Sequence, residues 1–266
     1  MLCSYPYSII VFSGAGLSAE SGLATFRDAH GLWEKTDPAV VCSADSMDRH
    51  PAEVYRFYNA CWEKYSRAVP NRAHRALAKL ERWAKGRTGL QLITQNIDGL
   101  LESAGAQHVI HMHGELAESR CTASGRVVPF DGRYSLQKVC GCCTPGHLLR
   151  PNVVFFGETP FHLETIREAI RHCDVFCAVG TSGSVMPAGG FARSAAKSGC
   201  RHLIEINKEE PVNAEDFGIH LRGDATKWVP IVAKAIRRFV KGDGTAFDNL
   251  EAMGGDEGDE DEESLF

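Results

Sequence analysis

Residues 8–22 read SIIVFSGAGLSAESG, a short β-rich apolar run that breaks at Gly14. An uninterrupted apolar run of this length fits a parallel strand covered on both faces. The glycines behind it let backbone come close to a phosphate, whose charge the next helix N-terminus would stabilise. Similar runs recur at 90–94 (LQLIT), 175–179 (VFCAV) and 202–206 (HLIEI), each followed by polar or glycine-containing residues. Helical patterns lie between them at 51–66, 71–85, 163–172, 187–198 and 225–241, with Asn71 as an N-cap and Gly86 as a stop. This alternation predicts an α/β protein built on a doubly wound parallel sheet.

Two stretches interrupt the pattern. Residues 28–87 are helix-rich without a clear strand, and residues 115–150 are Cys/Gly-rich with a short β-like run at 126–130. Both read as inserts that together form a second, smaller lobe on a body spanning 1–242. From Asp243 onward the chain carries ten acids and no Lys or Arg. This segment, 243–266, is expected to be a disordered acidic tail. Without it, 29 bases face the remaining 24 of the 34 acids, so the body is mildly basic. That balance suits an anionic ligand or an acidic partner.

With 44% hydrophobic residues over 266 positions, the chain can build a core without disulfides, and disorder is excluded for the body. No apolar run approaches the roughly 20 residues of a membrane span. The start, MLCSYPYSIIVF, has no basic n-region, so a secreted location is not expected and the cytoplasm is. Nor does any feature suggest a nucleic-acid or membrane partner.

Several residue groups can carry chemistry. Gly14, Ala15, Gly16, Ser18 and Ala19 form the glycine loop, although its G-x-G-x-x-x-x-x-G spacing departs from the usual dinucleotide fingerprint. Phe26 and Arg27 follow it closely, an aromatic and a guanidinium able to cover and clamp a phosphate ligand. Gln95, Asn96, Ile97 and Asp98 come after the second strand, where open α/β sheets bind ligands, and Asn96 or Asp98 could equally cap a helix. Gly180, Thr181, Ser182 and later Asn207 repeat that placement. In His111-Met112-His113-Gly114 either imidazole could transfer protons near neutral pH, and spacing alone does not choose between them. Cys121 with Cys140 and Cys143 suits tetrahedral zinc. Ser124 stands where a second thiolate would complete the first pair, leaving Cys142 or water as the fourth ligand. Residues 149–158, LRPNVVFFGE, resemble a strand edge that an extended peptide could join.

In their order along the chain, GAGLSAESGLATFR, TQNID, HMHGEL, the Cys module, LRPNVVFFGE, VGTSGSVMP and IEIN resemble the sirtuins, NAD-dependent protein lysine deacylases. The likeness covers about residues 8–240 and is greatest to bacterial members of the class that includes desuccinylases. It implies a Rossmann-like NAD lobe with a small zinc-binding plus helical lobe, and an acylated lysine peptide in the cleft between them. It also implies His113, rather than His111, as catalytic base. Gly14, Ala15, Gly16, Ser18 and Ala19 would hold the pyrophosphate, and Phe26 and Arg27 the nicotinamide riboside. Gln95, Asn96, Ile97 and Asp98 would line the ribose and nicotinamide pocket. Gly180, Thr181, Ser182, Asn207 and, more loosely, Ala225 would contact adenosine. Val154, Phe156 and Gly157 would pair with the peptide.

The reaction implied releases nicotinamide, free lysine and O-acyl-ADP-ribose, with His113 taking a proton from a ribose hydroxyl. Protein ADP-ribosylation, or a non-catalytic NAD or ADP-ribose sensor, are the alternatives. Desuccinylating relatives carry Tyr-x-x-Arg to bind an acidic acyl group. Here the run is Tyr58-Asn59-Ala60-Cys61, so the charged contact is missing and acetyl-lysine is expected over succinyl-lysine.

Overall fold

The computed structural model describes residues 5–23 and 37–253. In chain order its elements are β1 (Ser8–Ser13), α1 (Pro38–Val41), α2 (Ser46–Arg49), α3 (Pro51–Tyr65), α4 (Arg72–Ala84), β2 (Gly89–Thr94), α5 (Leu100–Ser103), β3 (Val109–His111), β4 (Gly114–Cys121), β5 (Val127–Pro129), β6 (Leu149–Val153), α6 (Leu163–Arg171), β7 (Val175–Val179), α7 (Phe191–Lys197), β8 (His202–Asn207), β9 (Ile219–Arg222), α8 (Ala225–Val240) and α9 (Leu250–Met253).

Six strands form one parallel sheet in the order β3-β2-β1-β7-β8-β9. The order reverses between β1 and β7, the position where doubly wound folds bind ligands. Strand β1 is apolar throughout because it is central. Ile9 and Val11 point into the core under α4 and α8, while Ile10 and Phe12 point into the core under α6 and α7. Helix α4 starts at Asn71, whose side chain accepts from the Ala73 and His74 amides at 2.9 and 3.2 Å. The Asn71 amide donates to His74 Nδ1 at 3.2 Å, completing a capping box.

The smaller lobe is an antiparallel sheet, β5-β4-β6, packed against α1–α3. Its core joins Val41, Tyr55, Tyr58 and Cys61 to Leu116, Tyr134, Val153 and Phe155, so both inserts contribute to it. The boundary of the helical insert needs correction. Helix α4 lies within 28–87, yet Ala73, Ala76, Leu77 and Leu80 belong to the core of the large sheet. Strands β3 and β9 carry little sequence pattern of their own: each is short, and β9 (IHLR) alternates polar residues at the sheet edge.

The acidic tail also begins later than Asp243. Ala246, Phe247 and Leu250 are buried against α8 and β8, which extends the folded body to at least Met253. No helix among the described residues is long and apolar enough to cross a membrane.

Candidate active site

The glycine loop leaves β1 as two single turns of 3-10 helix, Ala15–Leu17 and Ala19–Ser21. The Gly14 amide donates to Val179 O and the Gly16 amide to Gly180 O, both at 2.9 Å, so this loop lies directly on the loop after β7. Neither position has room for a side chain. A Cβ on Gly16 would sit 2.5 Å from Gly180 Cα, and one on Gly180 would sit 2.5 Å from Gly16 Cα and C. Glu20 closes the other side, its carboxylate accepting from the Thr226 amide at 3.0 Å and hydroxyl at 2.9 Å. This caps the first turn of α8, where Ala225 is buried.

Four groups meet beneath the loop. Ser18 Oγ donates to Asp98 Oδ2 at 2.9 Å and accepts from Asn96 Nδ2 at 3.1 Å. His74 Nε2 lies 3.3 Å from the same hydroxyl. Since His74 Nδ1 accepts the Asn71 amide, its proton must be on Nε2, which therefore donates to Ser18. Burial pushes the His74 pKa down to about 4, which keeps the ring neutral. Burial also raises the Asp98 carboxyl, although it accepts from Leu100 N and Ser18. Asp98 thus caps α5 and faces the site at once. His74 escapes motif reading, its sequence signal being its N3 position after a capping Asn71, and Glu20 lies in the glycine motif without a role that spacing assigns.

Gln95 Nε2 donates to Thr181 Oγ1 at 2.9 Å, bridging the ends of β2 and β7. Asn207 Nδ2 donates to Thr181 O at 3.0 Å and lies 3.2 Å from a carboxylate oxygen of the fully buried Glu205. Ser182 Oγ pairs with Ser184 Oγ at 2.7 Å. Ile97 accepts the Leu116 amide at 2.9 Å and packs against the small lobe, tying the two lobes together at the crevice. Phe26 and Arg27 lie outside the described residues.

The two histidines have different roles in the hydrogen-bond network. His111 has Nδ1 3.1 Å from Asn96 O and Nε2 2.9 Å from Glu102 Oε1, so both nitrogens are engaged. Burial opposes its charging, but Glu102 outweighs it and raises its pKa. His113 donates from Nδ1 to Gln95 O at 3.1 Å, which leaves Nε2 as the lone-pair nitrogen. Among the described residues no hydrogen bond engages that Nε2. Burial lowers the His113 pKa and favours the neutral ring. Gly114 makes this placement possible: its φ is +82°, and a Cβ there would meet Asn152 O at 2.0 Å.

The expected peptide-pairing edge is largely occupied. Val154 N donates to His113 O at 2.9 Å, Phe156 N donates to Cys42 O at 2.6 Å, and Phe156 O accepts from Ala44 N at 3.0 Å. Gly157 stays exposed, with φ +91°, and the Phe156 side chain is half exposed. Behind this edge, Glu158 accepts from Arg150 at 2.6 Å and from Arg120 at 3.1 Å. Tyr58 is buried, its hydroxyl 3.3 Å from Cys42 Sγ and its ring stacked on Phe155 at 5.8 Å.

In the small lobe the sulfurs of Cys121, Cys140, Cys142 and Cys143 all lie within 4.8 Å of one another. Cys121 Sγ is 3.4 Å from Cys140 Sγ and 3.8 Å from Cys143 Sγ. Tetrahedral zinc with sulfur at about 2.3 Å needs thiolates roughly 3.8 Å apart, so the cluster fits a structural zinc site. Backbone amides of Ser124 and His147 donate to Cys121 and Cys140 sulfurs at 3.4 and 3.3 Å, favouring their thiolates. The fourth sulfur is Cys142, and Ser124 Oγ sits 3.2 Å from it.

Residues 14–187 match the model of the Sir2 family. The chain belongs to the Sir2 family. An "NAD-dependent protein deacylase" of Shewanella oneidensis strain MR-1 is 43% identical over 230 residues, 86% of this chain and 93% of that relative. A Sir2 homologue solved with NAD superposes with a TM-score of 0.77 at 34% identity, covering 87% of this chain and 90% of the other. A Sir2 protein solved with a deacetylated peptide and 3′-O-acetyl ADP-ribose gives 0.74 at 28% identity, covering 89% and 94%. The activity of this Sir2 protein is NAD-dependent protein deacylation, with NAD as cosubstrate. The amides, hydroxyls and carboxylate gathered at the ends of β1, β2 and β7 suit a ligand carrying phosphates, ribose hydroxyls and a carboxamide.

Proposed function

We propose that this Sir2 protein removes acetyl groups from protein lysines in preference to succinyl groups, with His113 as the general base. The carrying observation is the half-buried His113 ring, held by Gln95 O so that an unprotonated Nε2 is available at the crevice. NAD is the ribosyl donor: the acyl-lysine carbonyl oxygen attacks C1′ of its ribose as the bond to nicotinamide breaks and nicotinamide leaves. Ser18, Asn96 and Asp98 hold one another in a fixed arrangement there, and no protein nucleophile is required. His113 Nε2 takes a proton from a ribose hydroxyl, which then attacks the acyl carbon; lysine leaves as the free amine and one water opens the remaining cyclic adduct to O-acyl-ADP-ribose. Gly157 and the half-exposed Phe156 side chain offer a peptide its contact, with Arg27 and Phe26 assigned to the nicotinamide side by resemblance.

The acyl preference follows from the small lobe. Cys61 is buried among apolar neighbours, and burial pushes its thiol up to about 12, so it carries no charge. Arg56 and Lys64 on the same helix are exposed, and Arg150, stacked 3.7 Å from the Phe155 ring centre, is held by Glu158. A carboxylate-bearing acyl group thus finds no available bidentate partner on α3. The cytoplasm is the compartment this reading implies, because it keeps unpaired thiols reduced.

Mass spectrometry of matched acetyl- and succinyl-peptides, with and without NAD, tests the proposal. NAD-dependent loss of acetyl with the O-acyl product is expected. Equal efficiency on succinyl-peptide would overturn the preference, and ADP-ribosylated protein without free lysine would overturn the reaction.

A further inference from the structure

Two cysteines outside the zinc module lie side by side. Cys173 follows α6 and Cys200 follows α7, each two residues before a pair of parallel strand partners, Val175 and His202. The adjoining backbone is fixed: Arg201 N and His202 N both donate to Asp174 O, at 3.0 and 3.1 Å. Arg201 also binds the Asp174 carboxylate at 2.6 Å. Continuing the strand register puts Cys173 opposite Cys200, and the spacing of neighbouring strands, about 4.8 Å, is within the Cα separation a disulfide spans. Cys173 Sγ donates to Ile170 O at 3.3 Å and Cys200 Sγ to His202 O at 3.5 Å, and the two thiols lie near enough to affect each other's protonation. Both residues are nearly but not completely buried, at 6% and 8% exposure.

We propose that Cys173 and Cys200 form a reversible redox pair, closing to an intramolecular disulfide when the protein meets a peroxide. The Cys200 sulfur attacks a peroxide oxygen, breaking the O–O bond to give a sulfenic acid and water. The Cys173 sulfur then attacks the sulfenic sulfur, forming the S–S bond and releasing a second water. Two thiols lose two electrons and two protons, and one peroxide is reduced to two waters. Cys200, the more exposed of the two, is assigned as the attacking sulfur and Cys173 as the resolving one.

The pair stands at the amino ends of β7 and β8, whereas the crevice lies at their carboxyl ends. Closing it therefore leaves catalysis intact. The test uses full-length, zinc-loaded protein treated with a modest excess of hydrogen peroxide, then alkylated after denaturation and mapped by peptide mass spectrometry. The expected result is the loss of two alkylatable thiols. It comes with a cross-linked peptide joining Cys173 to Cys200, reversed by reductant, and unchanged deacylation. The Cys173→Ser variant is expected to stop at a Cys200 sulfenic acid that a dimedone probe captures. The proposal is overturned if both thiols remain alkylatable after peroxide has oxidised other cysteines, or if either one pairs elsewhere. The wild-type map decides this even if the variant does not fold.

Discussion

His113 can act as a base only while its ring is neutral, and burial beside Gln95 O keeps it so. Replacing it with Ala should lower kcat by about 10²–10⁴-fold, the range for a positioned general base. NAD binding measured by calorimetry should survive. Because the pKa is lowered, the acid limb of the pH profile of kcat/KM should have its midpoint below about 6.5, the ordinary histidine value. His74 gives a separate stability signature. Its folded pKa is about 4 against 6.5, so between those values the unfolded chain binds the extra proton. Stability should therefore fall as pH drops from 6.5 toward 4, by up to roughly 3 kcal/mol. Urea melts of wild type and His74→Gln should show a shallower pH slope in the variant.

At the scale of elements, the Cys module should depend on zinc for its fold. Cys142→Ser should reduce zinc retained per chain on metal analysis and lower the melting temperature, while Ser124→Ala should retain the metal. Local spacing does not choose between Cys142 and water as the fourth ligand, because the choice depends on how the 121–124 and 140–143 turns face each other. The long central strands were legible for the opposite reason. In β1 and β7 both faces are buried, so every residue reports it. The three residues of β3 and the polar alternation of β9 carry too little pattern to be seen alone. The glycine loop and the TQNID run were legible as ligand-binding positions. Their link through His74 was not, since that residue arrives from α4, far away in sequence.

Across the whole molecule, the acidic segment divides into a packed part and a remainder. Phe247 and Leu250 are 6% and 2% exposed in the main core. Burying two such side chains contributes about 3–6 kcal/mol. A chain ending at Gly242 should therefore unfold at a clearly lower urea concentration, while one ending at Met253 should match full length. The hydrophobic residues at 246, 247 and 250 are spaced among Asp243, Asp248 and Glu251, so composition alone reads the stretch as tail.

The contact between Gly16 and Gly180 constrains how this chain can change. Each position excludes a methyl group because of the other's main chain. No compensating substitution is available, since neither partner has a side chain to shrink. Drift and laboratory selection should thus leave the pair untouched, and new specificities would have to emerge from the walls of the cleft while its floor stays as it is.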